Sequence, residues 1–202
     1  MKICGILDVE TALFCAEEGA DFIGLNFSPK SIRKIDVATA NKIQNALQRK
    51  NLKIQLVNLF YQNSQEEIRN ILQGTNPDFV QVIAGDLEYS SLSFVKQPII
   101  PAMRIAKPTT DADLDAYRAD LYILDSFSKD MGGGTGHTFH WENIATISKR
   151  YLLAGGLNPK NVHEALAGTK AIGVDVASGV ESHPGKKDLN LIRSFIQNAR
   201  RK

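Results

Sequence analysis

The 202-residue chain carries two cysteines, Cys4 and Cys15, with no C-x-x-C pair and no cysteine/histidine cluster at zinc spacing. That excludes a disulfide framework and a structural zinc site. An excess of charge is missing too: 24 Lys+Arg against 22 Asp+Glu leave a formal charge of +2, too balanced to argue for a nucleic-acid or anionic-membrane partner. The basic end Arg200-Arg201-Lys202 reads as a solvated helix end. No apolar run approaches the roughly 18 residues of a membrane span. The start Met1-Lys2-Ile3-Cys4-Gly5-Ile6-Leu7-Asp8 is too short in apolar residues for a signal peptide. These absences predict a reduced, cytoplasmic protein with neither a membrane nor a nucleic-acid partner.

What is present is ordinary globular composition, 43% hydrophobic and 23% charged. A chain of this length can bury about 70% of its unfolded surface, enough to fold without staples. Apolar β-rich runs at 3–6, 21–27, 53–60, 78–83, 99–105, 121–125, 151–154 and 172–176 alternate with helical periodicity. Asp8 caps a first helix that Gly19 ends. Val37, Ala40, Ile43 and Leu47 mark a second. Ser64 and Glu67 form a capping box before Ile68, Ile71 and Leu72. A weak helical signal lies at 87–94, a short helix is expected at 111–117 and a further helix at 141–148. Asn158-Pro159 reads as an N-cap with an N1 proline before Val162, Ala165 and Leu166. Leu191, Ile192, Phe195, Ile196 and Ala199 mark the last helix. Pro101 is the one residue at odds with its strand.

Eight strand–helix units at about 25 residues each suffice for a minimal parallel barrel, whereas a doubly wound sheet normally uses five or six strands. The expected fold is α/β, a single (β/α)8 TIM barrel spanning residues 1–202. In that fold the site lies at the carboxyl ends of the strands, so polar residues there become candidates.

Cys4, at the end of strand one, reads either as a small buried hydrophobe or as a nucleophile or general base. The second reading needs a positive neighbour or a helix N-terminus. Asp125, at the end of strand six, either caps a turn or carries a raised pKa and donates a proton. Gly155-Gly156 after strand seven, and Asp175, Ser178 and Gly179 after strand eight, fit the recurrent phosphate site of such barrels, where bare backbone N–H groups face an anion. The glycine run at 132–136 reads as a hinge or a ligand-facing loop. Arg33, after strand two, is a surface residue or a bidentate grip for a carboxylate.

Taken together, Lys2-Ile3-Cys4-Gly5, Gly19-Ala20-Asp21-Phe22-Ile23-Gly24, Ser28-Pro29-Lys30-Ser31-Ile32-Arg33, Leu124-Asp125-Ser126, Gly133-Gly134-Thr135-Gly136, Leu153-Ala154-Gly155-Gly156-Leu157-Asn158-Pro159 and Asp175-Val176-Ala177-Ser178-Gly179-Val180-Glu181 resemble the phosphoribosylanthranilate isomerase family, end to end and in order. The resemblance implies Cys4 as general base, Asp125 as general acid and Arg33 on the anthranilate carboxylate. It further implies the Gly155-Gly156 turn and the 175–179 segment on the ribose phosphate, and no metal or organic cofactor. The implied partner is a small phosphorylated substrate, and the implied assembly a monomer or homodimer. The chain departs from the family pattern at Ile32, where proline is usual, and at Gln81-Val82-Ile83-Ala84-Gly85, where the family commonly has Gln-Leu-His-Gly. It departs again at His140, in place of an aspartate. None of these touches the implied acid–base pair. A sugar-phosphate epimerase, the related histidine-pathway isomerase and a binding barrel without turnover are the competing readings.

Overall fold

The first strand is shorter than its apolar run. In the computed structural model, which describes residues 1–86, 88–125 and 141–201, β1 covers Lys2–Cys4. Gly5 then takes φ +77° and turns the chain, so that its amide and that of Ile6 both donate to the Gly24 carbonyl. Asp8 caps α1 (Val9–Glu17), accepting from the Thr11 amide at 2.7 Å and from its hydroxyl at 2.9 Å. Strands β2 (Phe22–Asn26), β3 (Gln55–Phe60) and β4 (Phe79–Ile83) follow, separated by α2 (Val37–Arg49) and α3 (Gln65–Gly74). α2 buries Ala40, Ile43 and Leu47, while the Ser64/Glu67 capping box opens α3.

Then come β5 (Ile99–Arg104), α4 (Asp111–Asp115), β6 (Tyr122–Asp125), β7 (Tyr151–Ala154), α5 (Val162–Ala167) and β8 (Gly173–Val176). The eight strands are parallel and close into a barrel in sequence order, β8 pairing back onto β1. Pro101 is accommodated because β6 pairs with β5 only from Ala102 onward, where the amide that proline lacks is not needed.

The helical layer is thinner than the sequence pattern predicts. After β4 the described residues hold a 3-10 turn, Tyr89–Leu92, whose Ser91 hydroxyl donates to the Glu88 carbonyl at 2.6 Å. Such local bonds compete with an α-helix. After the glycine-rich segment the expected helix at 141–148 is a 3-10 turn, Trp141–Ile144, and Ser148 is instead bound to Asp111 of α4. The helix expected from Asn158 starts three residues later. Asn158 and Asn161 bond to each other's loop, with the Asn161 side chain accepting from the Asn158 amide at 2.8 Å, and Asn161 occupies the cap. After β8 an antiparallel hairpin, β9 (Glu181–His183) and β10 (Lys186–Lys187), precedes α6 (Leu189–Ala199).

Strand alternation sorts the core into two shells. Val57, Ile100, Ala102, Ile123, Leu152 and Ala154 fill the barrel interior. Ile3, Ile23, Leu25, Val80, Leu124, Leu153 and Val174 face outward and pack under the helices. Residues one step from these outward positions therefore point inward, and several of them are polar.

Candidate active site

Cys4 and Asp125 are the last residues of β1 and β6. Their neighbours Ile3 and Leu124 face the helices, so both turn into the barrel, and the parallel topology brings both to the same rim. Asp125 lines a cavity of about 160 Å³ with Ala154 at the end of β7 and Gly155, Gly156 and Leu157 beyond it, and with Asp175 within β8 and Ser178 and Gly179 beyond it. Gly155 and Gly156 take φ +99° and +61°, a conformation that side chains resist. A Cβ at Gly179 would lie 1.7 Å from the Leu157 carbonyl oxygen, so the loops after β7 and β8 meet backbone to backbone. Two glycine segments far apart in sequence thus form one pocket.

Asp175 accepts a 2.9 Å bond from the Lys2 ammonium, and Lys2 is wholly buried inside the barrel. Burial disfavours that charge, but Asp175 and the Cys4 sulfur outweigh the penalty and the Lys2 pKa lies above its ordinary value. Gly24, paired with Cys4 on β2, leaves room for both side chains. A Cβ there would stand 2.7 Å from the Cys4 Sγ and 3.0 Å from the Lys2 Nζ.

Arg33 lies across Gly5, where a Cβ would come within 2.5 Å of the Arg33 Cδ. It reaches the rim beside Cys4, but its fork already holds a carboxylate of the chain itself. Nε and Nη2 donate to the two oxygens of Glu181 at 2.6 Å each. Glu181 also accepts from the Lys187 Nζ at 2.7 Å, and the same ammonium donates to the Ala177 carbonyl at 2.8 Å. Burial opposes the Glu181 charge, yet the bonds from Arg33 and Lys187 bring its pKa down to about 2. Burial depresses the Lys187 pKa, and Glu181 restores only part of the loss.

Lys2, Glu181 and Lys187 received no role from the sequence. Lys2 and Glu181 stand inside the quoted motifs without a visible function. The signal for Lys187 was Pro184-Gly185, a turn pair that closes the β9–β10 hairpin with Gly185 at φ +86°. Ile83 ends β4 half-buried against the interior apolar shell. The glycine run at 132–136 and His140 lie outside the described residues. Among the described residues no group of three or more His, Cys, Asp or Glu is arranged to hold a metal ion, and no helix is long and apolar enough to cross a membrane.

A closed (β/α)8 barrel with an acid, a thiol and paired glycine loops gathered at the carboxyl ends of its strands defines a barrel enzyme. The family model described as N-(5'phosphoribosyl)anthranilate (PRA) isomerase matches residues 1–198. An N-(5'-phosphoribosyl)anthranilate isomerase of Leptospira borgpetersenii is 46% identical over 203 residues, covering 99% of this chain and 94% of that protein. The phosphoribosyl anthranilate isomerase structure from Thermotoga maritima superposes with TM-score 0.83 at 34% identity, covering 98% and 97% of the two chains. A further phosphoribosyl anthranilate isomerase, solved with reduced 1-(o-carboxyphenylamino)-1-deoxyribulose 5-phosphate, matches with TM-score 0.79 at 32% identity, covering 98% and 96%. The chain belongs to the phosphoribosylanthranilate isomerase family.

Proposed function

We propose that Cys4 and Asp125 are the base and acid of an Amadori rearrangement. Membership of the family makes the chain an isomerase of tryptophan biosynthesis, which converts N-(5'-phosphoribosyl)anthranilate to 1-(2-carboxyphenylamino)-1-deoxyribulose 5-phosphate. Protonated Asp125 donates to the furanose ring oxygen, and the C1'–O bond breaks to leave an iminium ion. The Cys4 thiolate then removes the C2' proton, giving an enolamine. Passage of the O2' proton to C1' yields the ketone, and return of one proton from Cys4 to Asp125 through solvent resets the pair.

Acid and base must hold opposite protonation states at one pH. Holding the substrate at both ends relieves part of that demand, since orientation can lower a barrier by roughly 7–11 kcal/mol. Gly155, Gly156, Asp175, Ser178 and Gly179 would enclose the phosphate, and Arg33, through the Nη1 edge that Glu181 leaves open, would take the anthranilate carboxylate. The observation that carries this reading is the cavity that Asp125 shares with both glycine loops. A relative from Thermotoga maritima is described as dimeric, and the reading for this chain, a single-domain cytoplasmic enzyme, is a monomer or homodimer. The deciding experiment is loss of phosphoribosylanthranilate fluorescence on adding the purified chain, with rescue of an isomerase-deficient tryptophan auxotroph. Neither signal appearing would overturn the assignment.

A further inference from the structure

The Cys4 sulfur stands among buried ammonium groups that no step above uses. From inside the barrel comes Lys2, two residues earlier on the same face of β1, anchored by Asp175 on β8. From the rim side comes Lys187 on β10. One step beyond the Ile3/Val176 pair that joins β1 to β8 lie Cys4 and Ala177, and the Lys187 ammonium is fixed on the Ala177 carbonyl. It is fixed a second time on Glu181 of β9, which also holds Arg33. Lys187 and Glu181 side chains are each only 3% exposed, so neither charge is diluted by water.

We infer that Lys2 and Lys187 are positioning residues for Cys4, two anchored ammonium groups that stabilise its sulfur in the anionic, proton-accepting form. This rests on the reading of Cys4 as the base. The geometry around the sulfur supports it. The Cys4 Sγ and the Lys2 Nζ would stand 2.7 and 3.0 Å from a Cβ on Gly24, so the two groups share one space. Asp175 and Glu181 hold the ammonium groups in place, and each of these carboxylates is bonded to at least one cation. Asp8 spends its carboxylate on the α1 cap, and Cys15 is held as a neutral thiol. The carbonyl and Glu181 anchors explain why Lys187 keeps its place although burial disfavours its charge.

The test alkylates Cys4 in the full-length chain with iodoacetamide and with anionic iodoacetate across a pH series, reading the Cys4 peptide by mass spectrometry. It compares wild type with Lys187→Met, Lys187→Arg and Lys2→Met. An opposite charge within about 4–6 Å moves a titration by one to three units. Lys187→Met should therefore shift the alkylation midpoint up by about one pH unit or more and reduce the preference for iodoacetate over iodoacetamide. Its kcat/KM at neutral pH should fall about tenfold or more and recover toward alkaline pH, with Lys187→Arg restoring most of it. Lys2→Met should act in the same direction where it folds. Lys187→Met leaves Glu181 its Arg33 partner and decides the matter alone where Lys2→Met does not fold. A wild-type midpoint and reagent ratio in Lys187→Met would overturn the inference. Cys4→Ala with full turnover would instead remove Cys4 as the base, a failure that the alkylation ratios do not share.

Discussion

The two cysteines of this chain sit about a dozen positions apart in sequence and in different electrostatic settings. Cys15 lies on α1 in the seam between sheet and helices, fully buried among aliphatic side chains. Burial pushes its thiol up to about 12, and the Lys187 ammonium offsets only part of that. There a thiol behaves as a small hydrophobe. Cys4 is nearly as buried, but it ends a strand and turns into a rim where Lys2, Arg33 and Lys187 converge. Burial alone therefore does not decide what a cysteine does; the charges that share its enclosure do.

Removing the reactive groups at the rim should break this contrast most sharply. Cys4→Ser and Asp125→Asn should each lower kcat by about 10²–10⁴-fold with little change in KM, because each acts on a proton in flight. Steady-state fluorescence assays decide it, and near-wild-type turnover in either variant sinks that residue's role.

Glu181→Gln comes next. It strands the buried Lys187 ammonium and loosens the partly exposed Arg33. Breaking a fully buried pair typically costs about 3–5 kcal/mol, and solvent at Arg33 brings the loss to the lower end of that range, about 3 kcal/mol, measurable as a lower urea midpoint. It should also change the acid side of the stability curve. Glu181 titrates at about 2 in the folded chain against an ordinary 4.5. Its contribution is complete above pH 4.5 and is lost as pH falls toward 2, because the unfolded chain takes up the proton first. The Gln variant should lack that part of the slope, and an unchanged acid slope would contradict the assignment.

A smaller effect is expected from Arg33→Lys, which keeps the charge but not the fork. KM should rise several-fold while kcat moves less; an unaltered KM removes Arg33 from the substrate carboxylate. The smallest effect belongs to the other side of the comparison. Cys15→Ala should cost about 1 kcal/mol of stability for the lost packing and leave kcat and KM unchanged. A large kinetic effect there would erase the distinction between the two thiols.

Much of the architecture was legible because it is local. The alternating strands, the Asp8 and Ser64 caps, and the stripe of Ala40, Ile43 and Leu47 follow from periods of 2 and 3.6 and from capping chemistry within a few residues. The predicted helices at 87–94 and 141–148 did not form as such. Ser91 bonds its own turn, and Ser148 is captured by Asp111, a residue 37 positions away. Local periodicity cannot register that second competitor.

The rim divides in the same way. Gly155-Gly156 and the 175–179 segment were visible as glycine motifs, and Cys4 and Asp125 as unusual strand ends. That Gly179 must be glycine because it abuts Leu157 is a tertiary fact. So is the grip of Glu181 on both Arg33 and Lys187.

The amino-acid order by itself determined a repeating strand–helix chain, the strand-end positions of Cys4 and Asp125, and the family to which the chain belongs. Tertiary structure decided which charges meet them. Closing the sheet brings β8 against β1, and that closure joins Lys2 to Asp175, partners 173 residues apart, as the hairpin after β8 carries Glu181 and Lys187 back over the rim. Electrostatic neighbours depend on distance through space, and periodicity along the chain carries no record of it.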